Sequence, residues 1–514
     1  MTLLRAGHAA IARRGRYTTT RVREGRFSRW EPALLRLPKG PATVLRSPWQ
    51  PLVFRRRELT ALALLGVFLA LQFLIPARLV IGGMGAVGRP AVAVGLLLLF
   101  LWLLALLTRR GLPGGFQPVR WIIGGFVALQ FFFYAVGFDR GLPAIEASQA
   151  DRWMIFVGSM AGIALATADG IATRRQLNRL LILLVYLGAV MGIIGALQFT
   201  EIINIVEYIR IPGLQLQNTL VGVGERGGGG AGFPRVASTA SHFIEFGVVL
   251  AMLLPLALHF AFFAATTRQR TWRWLAAALI AVGIPFSISR SATLAIGLAL
   301  ILMFAVWPWR QRYNGLIIGG FAVIGFSAVQ PGVLGTIRGL FIHAGTDPSV
   351  QDRIARTAYV MDLWSERPWL GRGAGSYVLE RYTLLDNQLY VTLLETGAIG
   401  LAGTIAVLFA APYFAGRSLR LRGADQETRH LAQALACIPP VALLSSGTFD
   451  SFYYGTFMSV LFIAVGAIGA LWRLDGGGGG RRPLQAAAPG DKFVATPWMT
   501  DWKGGRARRR TADI

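Results

Sequence analysis

The stretch PAVAVGLLLLFLWLLALL, residues 90–107, contains no charged residue and decides the fold class. At 1.5 Å per residue, an α-helix over this stretch would be about 27 Å long, close to the roughly 30 Å hydrocarbon core of a bilayer. An uncharged apolar run of this length is typical of a membrane span. The stretch therefore predicts a transmembrane helix.

Eleven further runs of similar length and hydropathy occur along the chain, with charged residues between them. They cover residues 59–76, 121–138, 153–168, 180–200, 243–265, 274–289, 291–309, 314–331, 388–412, 431–449 and 452–472. Together the runs predict an all-α polytopic membrane protein of about 12 transmembrane helices, contained in residues 58–472. Residues 1–57 and 473–514 are predicted to be basic cytosolic tails, the second one flexible because of its glycine run at 476–480.

The composition agrees with a membrane protein and excludes other classes. The 514 residues are 54% apolar and only 15% charged, yet their formal net charge is +27. Disordered and collagenous chains do not have this composition. A nucleic-acid-binding protein would share the charge but not the long uncharged runs, so no nucleic-acid partner is expected. The single cysteine, Cys437, excludes a disulfide framework and a cysteine-based metal site.

The distribution of basic residues predicts the orientation in the membrane. Both tails and the alternate loops contain 38 of the 52 Lys and Arg residues. Because positively charged short loops stay in the cytoplasm, both termini are predicted to be cytosolic. Two segments on the predicted outer face, residues 201–241 and 332–386, are longer than connections need to be, and loops of this length are usually functional. The second contains a stretch with helical periodicity at 354–364 and is predicted to be a partly helical outer loop.

Ionisable residues at the ends of apolar runs are candidates for function, because burying a charge in a bilayer is costly. Arg290 lies in FSISRSA, residues 286–292, between two apolar runs. Its guanidinium could extend to the interface or bind phosphate, and we favour phosphate because guanidinium groups bind it bidentately. Glu245 and Glu395 lie near the predicted outer ends of their helices, where ion pairing and catalysis are both compatible with the sequence.

Asp386 and Asn387 precede the tenth apolar run. Either residue could cap that helix, and a carboxylate at this point could equally act as a general base on a hydroxyl at the membrane surface. The glycine cluster at 371–376 lacks the strand and the Lys-Ser/Thr of a phosphate-binding loop and is interpreted as a turn. His242 and His343 have no second ligand at metal-binding spacing, so no metal and no cofactor are predicted.

Three motifs resemble the O-antigen ligase and polysaccharide polymerase superfamily of bacterial membrane glycosyltransferases. They occur in the family's order: Arg235 to Gly247, then Ser289-Arg290-Ser291, then Asp352-Arg353 through Trp364 and Pro368 to Gly375, Asp386-Asn387 and Gly397 to Gly400. In the family, a His-Asn pair is followed after nine residues by Gly-x-x-Gly, and nine residues separate Asn387 from Gly397 here. The resemblance covers roughly residues 235–412. It departs from the family at Asp386, where the ligases have a catalytic histidine.

The resemblance implies a GT-C-like helical enzyme that uses a polyprenyl-diphosphate-linked glycan, such as one carried on undecaprenyl diphosphate, as its donor. It implies inversion at the anomeric carbon without a metal or a nucleotide sugar. A carboxylate can replace imidazole as the proton acceptor, so Asp386 is a candidate base. Otherwise Asn387 orients the acceptor while Glu395 or Glu245 acts as the base. The substitution of the histidine favours a polymerase over a lipopolysaccharide ligase. The arginines expected to hold the diphosphate are Arg235, Arg290 and Arg353, with Arg356 and Arg372 as weaker candidates.

The main alternative is a transporter or flippase of the same lipid-linked glycan. A transporter would place ionisable residues around a cavity at mid-bilayer, whereas these candidates lie near one predicted surface. A scaffold that recruits partners through basic tails would leave the outer motifs unexplained. The predicted location is the bacterial cytoplasmic membrane, and the predicted partners are the glycan donor, a glycan or lipid-linked acceptor and the bilayer. A chain-length regulator or export proteins would be further partners in such a pathway.

Overall fold

The computed structural model describes residues 60–108, 112–113, 116–216, 225–226, 233–329, 332–342, 348–423 and 425–475. The predicted basic tail at 1–57 and nearly all of the tail at 473–514 lie outside the described residues, as do the glycine run at 227–230 and His343.

The described part of the chain is almost entirely helical. Its helices are α1 (Ala61–Leu74), α2 (Pro90–Leu107), α3 (Pro118–Asp139), α4 (Ala144–Gly170), α5 (Arg174–Phe199), α6 (Ile205–Tyr208), α7 (Phe243–Phe262), α8 (Thr267–Phe286), α9 (Arg290–Phe304), α10 (Trp309–Val329), α11 (Val333–Ile342), α12 (Pro348–Ser365), α13 (Gln388–Thr404), α14 (Ala411–Arg422), α15 (Gln426–Ala436), α16 (Ile438–Ser446) and α17 (Gly455–Leu474). Two antiparallel pairs of two-residue strands also form, β1 (Leu79–Val80) with β2 (Gln215–Leu216) and β3 (Glu225–Arg226) with β4 (Phe233–Pro234).

Each of the twelve apolar runs coincides with a helix or a pair of helices. Among the described residues, seven helices are long and apolar enough to cross a membrane, with α13 and α14 counted as one continuous helix over Gln388–Arg422. The number is eight if the bent pair α10 and α11 counts as one span. The helices α1 and α9 are apolar but shorter. These findings confirm an all-α membrane protein, and the count of twelve crossings stays a prediction. The run at 431–449 is divided into α15 and α16 at Cys437, where Pro439 and Pro440 follow and cannot donate backbone hydrogen bonds.

Burial separates an inner pair of helices from those that face outward. Nearly every residue of α7 and α17 is buried, whereas only a third of the apolar window of α2 or α3 is. A helix that is apolar on all sides and buried lies inside a bundle, and one that is apolar but exposed is suited to face lipid. The core is therefore built around α7 and α17, and α4 packs closely against α17.

The loop that follows α12 packs against a kink in α13. The kink is at Gly397, whose φ is +64°, in the left-handed region that favours glycine. Because the kink frees backbone groups of α13, the loop supplies partners: Ala398 donates its N–H to the carbonyl of Pro368 at 2.9 Å. In return, Gly373 donates to the carbonyl of Glu395 at 2.7 Å. The glycine cluster is thus a packing element against α13.

Replacing Gly397 with Ala should destabilise the protein strongly. A Cβ at this position would lie 2.2 Å from the carbonyl oxygen of Trp369, and the φ of +64° adds strain. Left-handed strain costs about 1–2 kcal/mol and overpacking about 1–3 kcal/mol, so we expect a clear drop in the thermal midpoint of the detergent-purified protein. Gly124→Ala in α3 is the matched control, because a Cβ added there would meet no neighbouring atom within 4 Å. Equal thermal midpoints for the two variants would contradict a stabilising contact between this loop and α13.

Candidate functional site

The start of α13 presents Asp386 and Asn387 side by side. Asn387 is the N-cap, since its side-chain oxygen accepts hydrogen bonds from the N–H groups of Leu389 at 3.0 Å and Tyr390 at 3.3 Å. Asp386 has a φ of +51°, a left-handed conformation that Asp and Asn tolerate better than most residues. Of the two candidate caps, the structure uses Asn387. The carboxylate of Asp386 is therefore available for contacts other than the helix cap.

Asp450, in the short connection before α17, holds this pair in place. One of its carboxylate oxygens accepts the backbone N–H of Asn387 at 2.8 Å. Its side chain is buried, and burial raises the pKa of Asp450 to about 6. The negative charge of Asp386 raises this pKa further, whereas the N–H groups of Asn387 and Asp386 and the charge of Arg356 lower it. Two carboxyl groups and a cation are therefore electrostatically coupled at the start of α13.

Sequence reasoning missed Asp450, although a signal was present. Asp450 is the only charged residue between positions 438 and 472. The same criterion, an isolated charge in an apolar stretch, selected Arg290. Arg290 also lies between two apolar runs, but it belongs to one of the three motifs, whereas Asp450 lies outside all of them.

The pairing of Asp386 with Arg356 brings two predicted site residues into direct contact. A guanidinium nitrogen of Arg356 donates to a carboxylate oxygen of Asp386 at 3.1 Å. The Asp386 side chain is 37% exposed, so this ion pair remains accessible from outside the protein. Arg353 lies one turn earlier on α12, and its side chain lies outside the described residues. Arg372 instead pairs with Glu366 and stacks its guanidinium 5.8 Å from the ring centre of Tyr382.

Glu395 is buried beneath the glycine cluster. A carboxylate oxygen accepts the N–H of Tyr377 at 3.0 Å, and the N–H of Gly375 also faces the carboxylate. These contacts tie the loop after α12 to α13. The observed role of Glu395 is therefore structural.

Glu245, in the first turn of α7, is fully buried. One oxygen accepts the N–H groups of Thr456 at 2.9 Å and Phe457 at 3.3 Å, at the start of α17. The other accepts the N–H of Ser241 at 2.8 Å. A carboxylate at a helix N-terminus is stabilised by unpaired N–H groups and the helix dipole. Glu245 thus joins the starts of the two most buried helices.

Arg235 and Arg290 both belong to segments that pack near the start of α7. The guanidinium of Arg235 lies 4.4 Å from the ring centre of Phe243. Arg290 is the first residue of α9, a helix that packs against α7. His242 caps α7, and burial lowers the pKa of His242 to about 4, against the raising effect of Asp386. His242 is therefore neutral at physiological pH, and the positive charge at the start of α7 comes from arginine.

A cavity of about 300 Å³ opens beside the start of α13. Its charged lining comes from five side chains, which are Arg78, Arg89, Arg152, Glu380 and Asp450. None of the five arginines predicted to hold diphosphate lines it. Arg235 lines a separate cavity of about 740 Å³ together with Arg78 and Arg210. Within the described residues, no group of three His, Cys, Asp or Glu side chains is placed to share a metal ion.

Asp450→Asn tests the electrostatics of this site. Because the pKa of about 6 lies above the usual 3.8, the folded chain keeps this proton between pH 4 and 6 while the unfolded chain loses it. The folded state therefore loses stability as the pH rises through that window, by roughly 3 kcal/mol in total. Asn keeps an oxygen for the N–H of Asn387 but cannot ionise. We expect the variant to have a higher thermal midpoint than the wild type above about pH 6, with the difference shrinking towards pH 4.

The control for that measurement is Asp362→Asn, a change at an exposed aspartate of α12. It should leave the wild-type midpoint nearly unchanged at every pH. A difference between Asp450→Asn and wild type that stays constant from pH 4 to 8 would contradict the raised pKa.

Comparison with known protein families matches part of the region that carries these motifs, and Arg235 and Glu245 lie outside the match. The family model Wzy_C, described as O-Antigen ligase, matches residues 275–405. The match includes Arg290, Arg356, Asp386, Asn387 and Glu395, and it confirms the resemblance to the O-antigen ligase-related superfamily. Among curated proteins, none matches the chain significantly. The apolar helices and this domain together indicate a bacterial inner-membrane enzyme of the ligase or polymerase type.

Proposed function

We propose that this protein is a membrane glycosyltransferase that polymerises or ligates oligosaccharides carried on polyprenyl diphosphate, at the outer face of the cytoplasmic membrane. The observation that carries the proposal is the accessible Asp386–Arg356 pair at the start of α13, inside the region matched by the O-antigen ligase model. Both polymerisation and ligation are compatible with this function, and Asp386 in place of the catalytic histidine of the ligases favours polymerisation.

The proposed reaction is a single inverting displacement. Asp386 accepts the proton of an acceptor hydroxyl, whose oxygen forms a bond to the anomeric carbon of the donor glycan. The bond from that carbon to the diphosphate oxygen breaks, and the electron pair leaves with the polyprenyl diphosphate. The negative charge that develops there is stabilised by arginines, for which Arg235, Arg290, Arg353 and Arg356 are the candidates. Fixed guanidinium groups supply this charge without a metal ion.

The contacts of the other candidate bases favour Asp386. Both oxygens of Glu245 accept backbone N–H groups at helix starts, and Glu395 is buried against the loop after α12. A base must reach the proton of a hydroxyl that arrives from outside the protein. Asp386 is the most exposed of the three.

The direct test is incubation of the purified protein with a polyprenyl-diphosphate oligosaccharide, without ATP or nucleotide sugar. We expect longer glycans and free polyprenyl diphosphate, detected by mass spectrometry, with the same yield in EDTA. In liposomes, movement of the lipid-linked glycan between leaflets without any longer product would instead support a flippase and reject the enzyme.

A further inference from the structure

Ser241 and Val391 line the cavity beside α13, and the rest of its walls come from four separated parts of the chain. They are the segment from Ala77 to Arg89, the middle of α4 around Trp153, the loop from Tyr377 to Leu384 and the connection from Asp450 to Tyr454. Its volume of about 300 Å³ is within the range of small-molecule sites. Three guanidinium groups face two carboxyl groups in its lining. The lining therefore has three positive charges against at most two negative ones, which favours an anion.

Arg89 is the innermost of these cations. It is only 8% exposed, and one terminal nitrogen donates to the hydroxyl of Ser241 at 2.6 Å. Its Nε and Nη1 atoms have no hydrogen-bond acceptor in the part of the chain that the structure describes. Leaving buried donors of a charged group unsatisfied costs several kcal/mol, so a buried arginine is normally paired with an anion.

The nearby protein anions do not fill that role. Glu245 and the hydroxyl of Tyr454 interact electrostatically with Arg89 and raise its pKa. The oxygens of Glu245, however, already accept hydrogen bonds from backbone N–H groups. The absence of a side chain at Gly455 leaves room for the guanidinium, since a Cβ there would lie 2.5 Å from Nη1 of Arg89. Burial lowers the pKa of Arg89, opposed by Glu245, as expected for a cation that lacks a full partner.

We propose that this cavity binds a phosphate group of a lipid-linked diphosphate substrate, with the charge of the buried Arg89 guanidinium, which lacks a full anionic partner, supported by Arg78 and Arg152 in the same lining. The proposal rests on the proposed function, and it adds a binding site outside the region matched by the O-antigen ligase model. Asp450 lines the cavity and also binds the N–H of Asn387. A phosphate held here would therefore lie next to the start of α13, where Asp386 is the proposed base.

The test measures binding of farnesyl diphosphate to the full-length protein in detergent, without any glycan. Arg89→Gln should weaken binding at least about tenfold, because a hydrogen bond to a charged group contributes about 1.5–3 kcal/mol. Gly455→Ala should weaken it as well, since the added Cβ displaces Arg89 without removing its charge. The matched control is Arg473→Gln, a partly buried arginine whose nitrogens donate to the carbonyls of Ala168 and Ile171. This control should bind like the wild type.

A second measurement on the wild type does not depend on how the variants fold. A photoreactive farnesyl diphosphate analogue should label residues 77–89, 149–156, 377–384 or 450–454, or Ser241 or Val391. Labelling confined to other segments, or wild-type binding by a folded Arg89→Gln protein, would overturn the site. Equal displacement by phosphatidylglycerol would also overturn it, by showing a general lipid-headgroup site.

The glycan-transfer assay separates this site from the proposed function. If the wild type lengthens glycans while Arg89→Gln binds and reacts normally, the enzyme assignment stands and the cavity site fails. If farnesyl diphosphate binds at Arg89 but no glycan is lengthened, the cavity site stands and the enzyme assignment fails.

Discussion

Replacing Asp386 with Asn should abolish glycan transfer while leaving binding of the lipid-linked donor intact. Asn keeps the left-handed backbone that this position adopts, with its φ of +51°, but it cannot accept the proton of the acceptor hydroxyl. Loss of a general base typically lowers the rate by about 10² to 10⁴-fold. The measurement is the rate of glycan lengthening at saturating donor, together with the dissociation constant of the donor. Asp386→Ala should give the same loss of turnover.

Two comparisons make this result specific. Asp362→Asn, at an exposed position of α12, should retain the wild-type rate and controls for loss of surface charge. Arg356→Gln removes the cation paired with Asp386 but leaves the carboxylate, so it should retain more activity than Asp386→Asn. If the Asp386 variants turn over at the wild-type rate, the base is Glu395 or Glu245 instead.

Replacing Arg290 with Lys should abolish lengthening of the glycan while leaving membrane insertion unchanged. Lysine preserves the positive charge, but it lacks the planar donor fork that holds two phosphate oxygens at once. Removing one preorganised donor to a developing negative charge costs roughly 10² to 10³-fold in rate. Because Arg290 begins α9 and Ser289 caps that helix, the substitution leaves the cap in place.

The measurement for Arg290→Lys is the glycan length distribution in cells and the transfer rate of the purified enzyme. Arg310→Lys, an exposed arginine at the predicted cytoplasmic start of α10, is the matched control and should behave like the wild type. Normal chain lengths in the Arg290→Lys strain would reject a role for this arginine at the diphosphate.

Much of the fold follows from local sequence. The hydropathy of residues 90–107 places a helix with the same bounds, Pro90–Leu107, in the structure. The periodicity at 354–364 lies within α12, and the polar pair before the tenth run includes the cap of α13. Such features depend on the chemistry of residues within a turn or two of each other, so they can be predicted without knowing what the helix packs against.

The residues around the candidate site were only partly predictable. The pairing of Arg356 with Asp386 joins two residues that the motifs selected, but the motifs did not predict the contact. Arg89 and Asp450 were not selected, although each stands alone beside apolar runs. Their contacts, from Arg89 to Ser241 and from Asp450 to Asn387, join segments that lie 152 and 63 positions apart in the sequence. Such contacts depend on how the helices pack, and packing is decided by shape complementarity between helices that look alike in hydropathy.

The sequence by itself determined that this protein is helical and membrane-embedded, and which segment carries the O-antigen ligase motifs. Only the tertiary structure decided that Asp450 binds the start of α13 from 63 positions away, and that Arg89 faces a cavity. It also decided that the glycine loop fits the kink at Gly397. The physical reason is that hydrophobic transfer is a sum over local residues, whereas hydrogen-bond partners and cavities exist only once distant helices have packed.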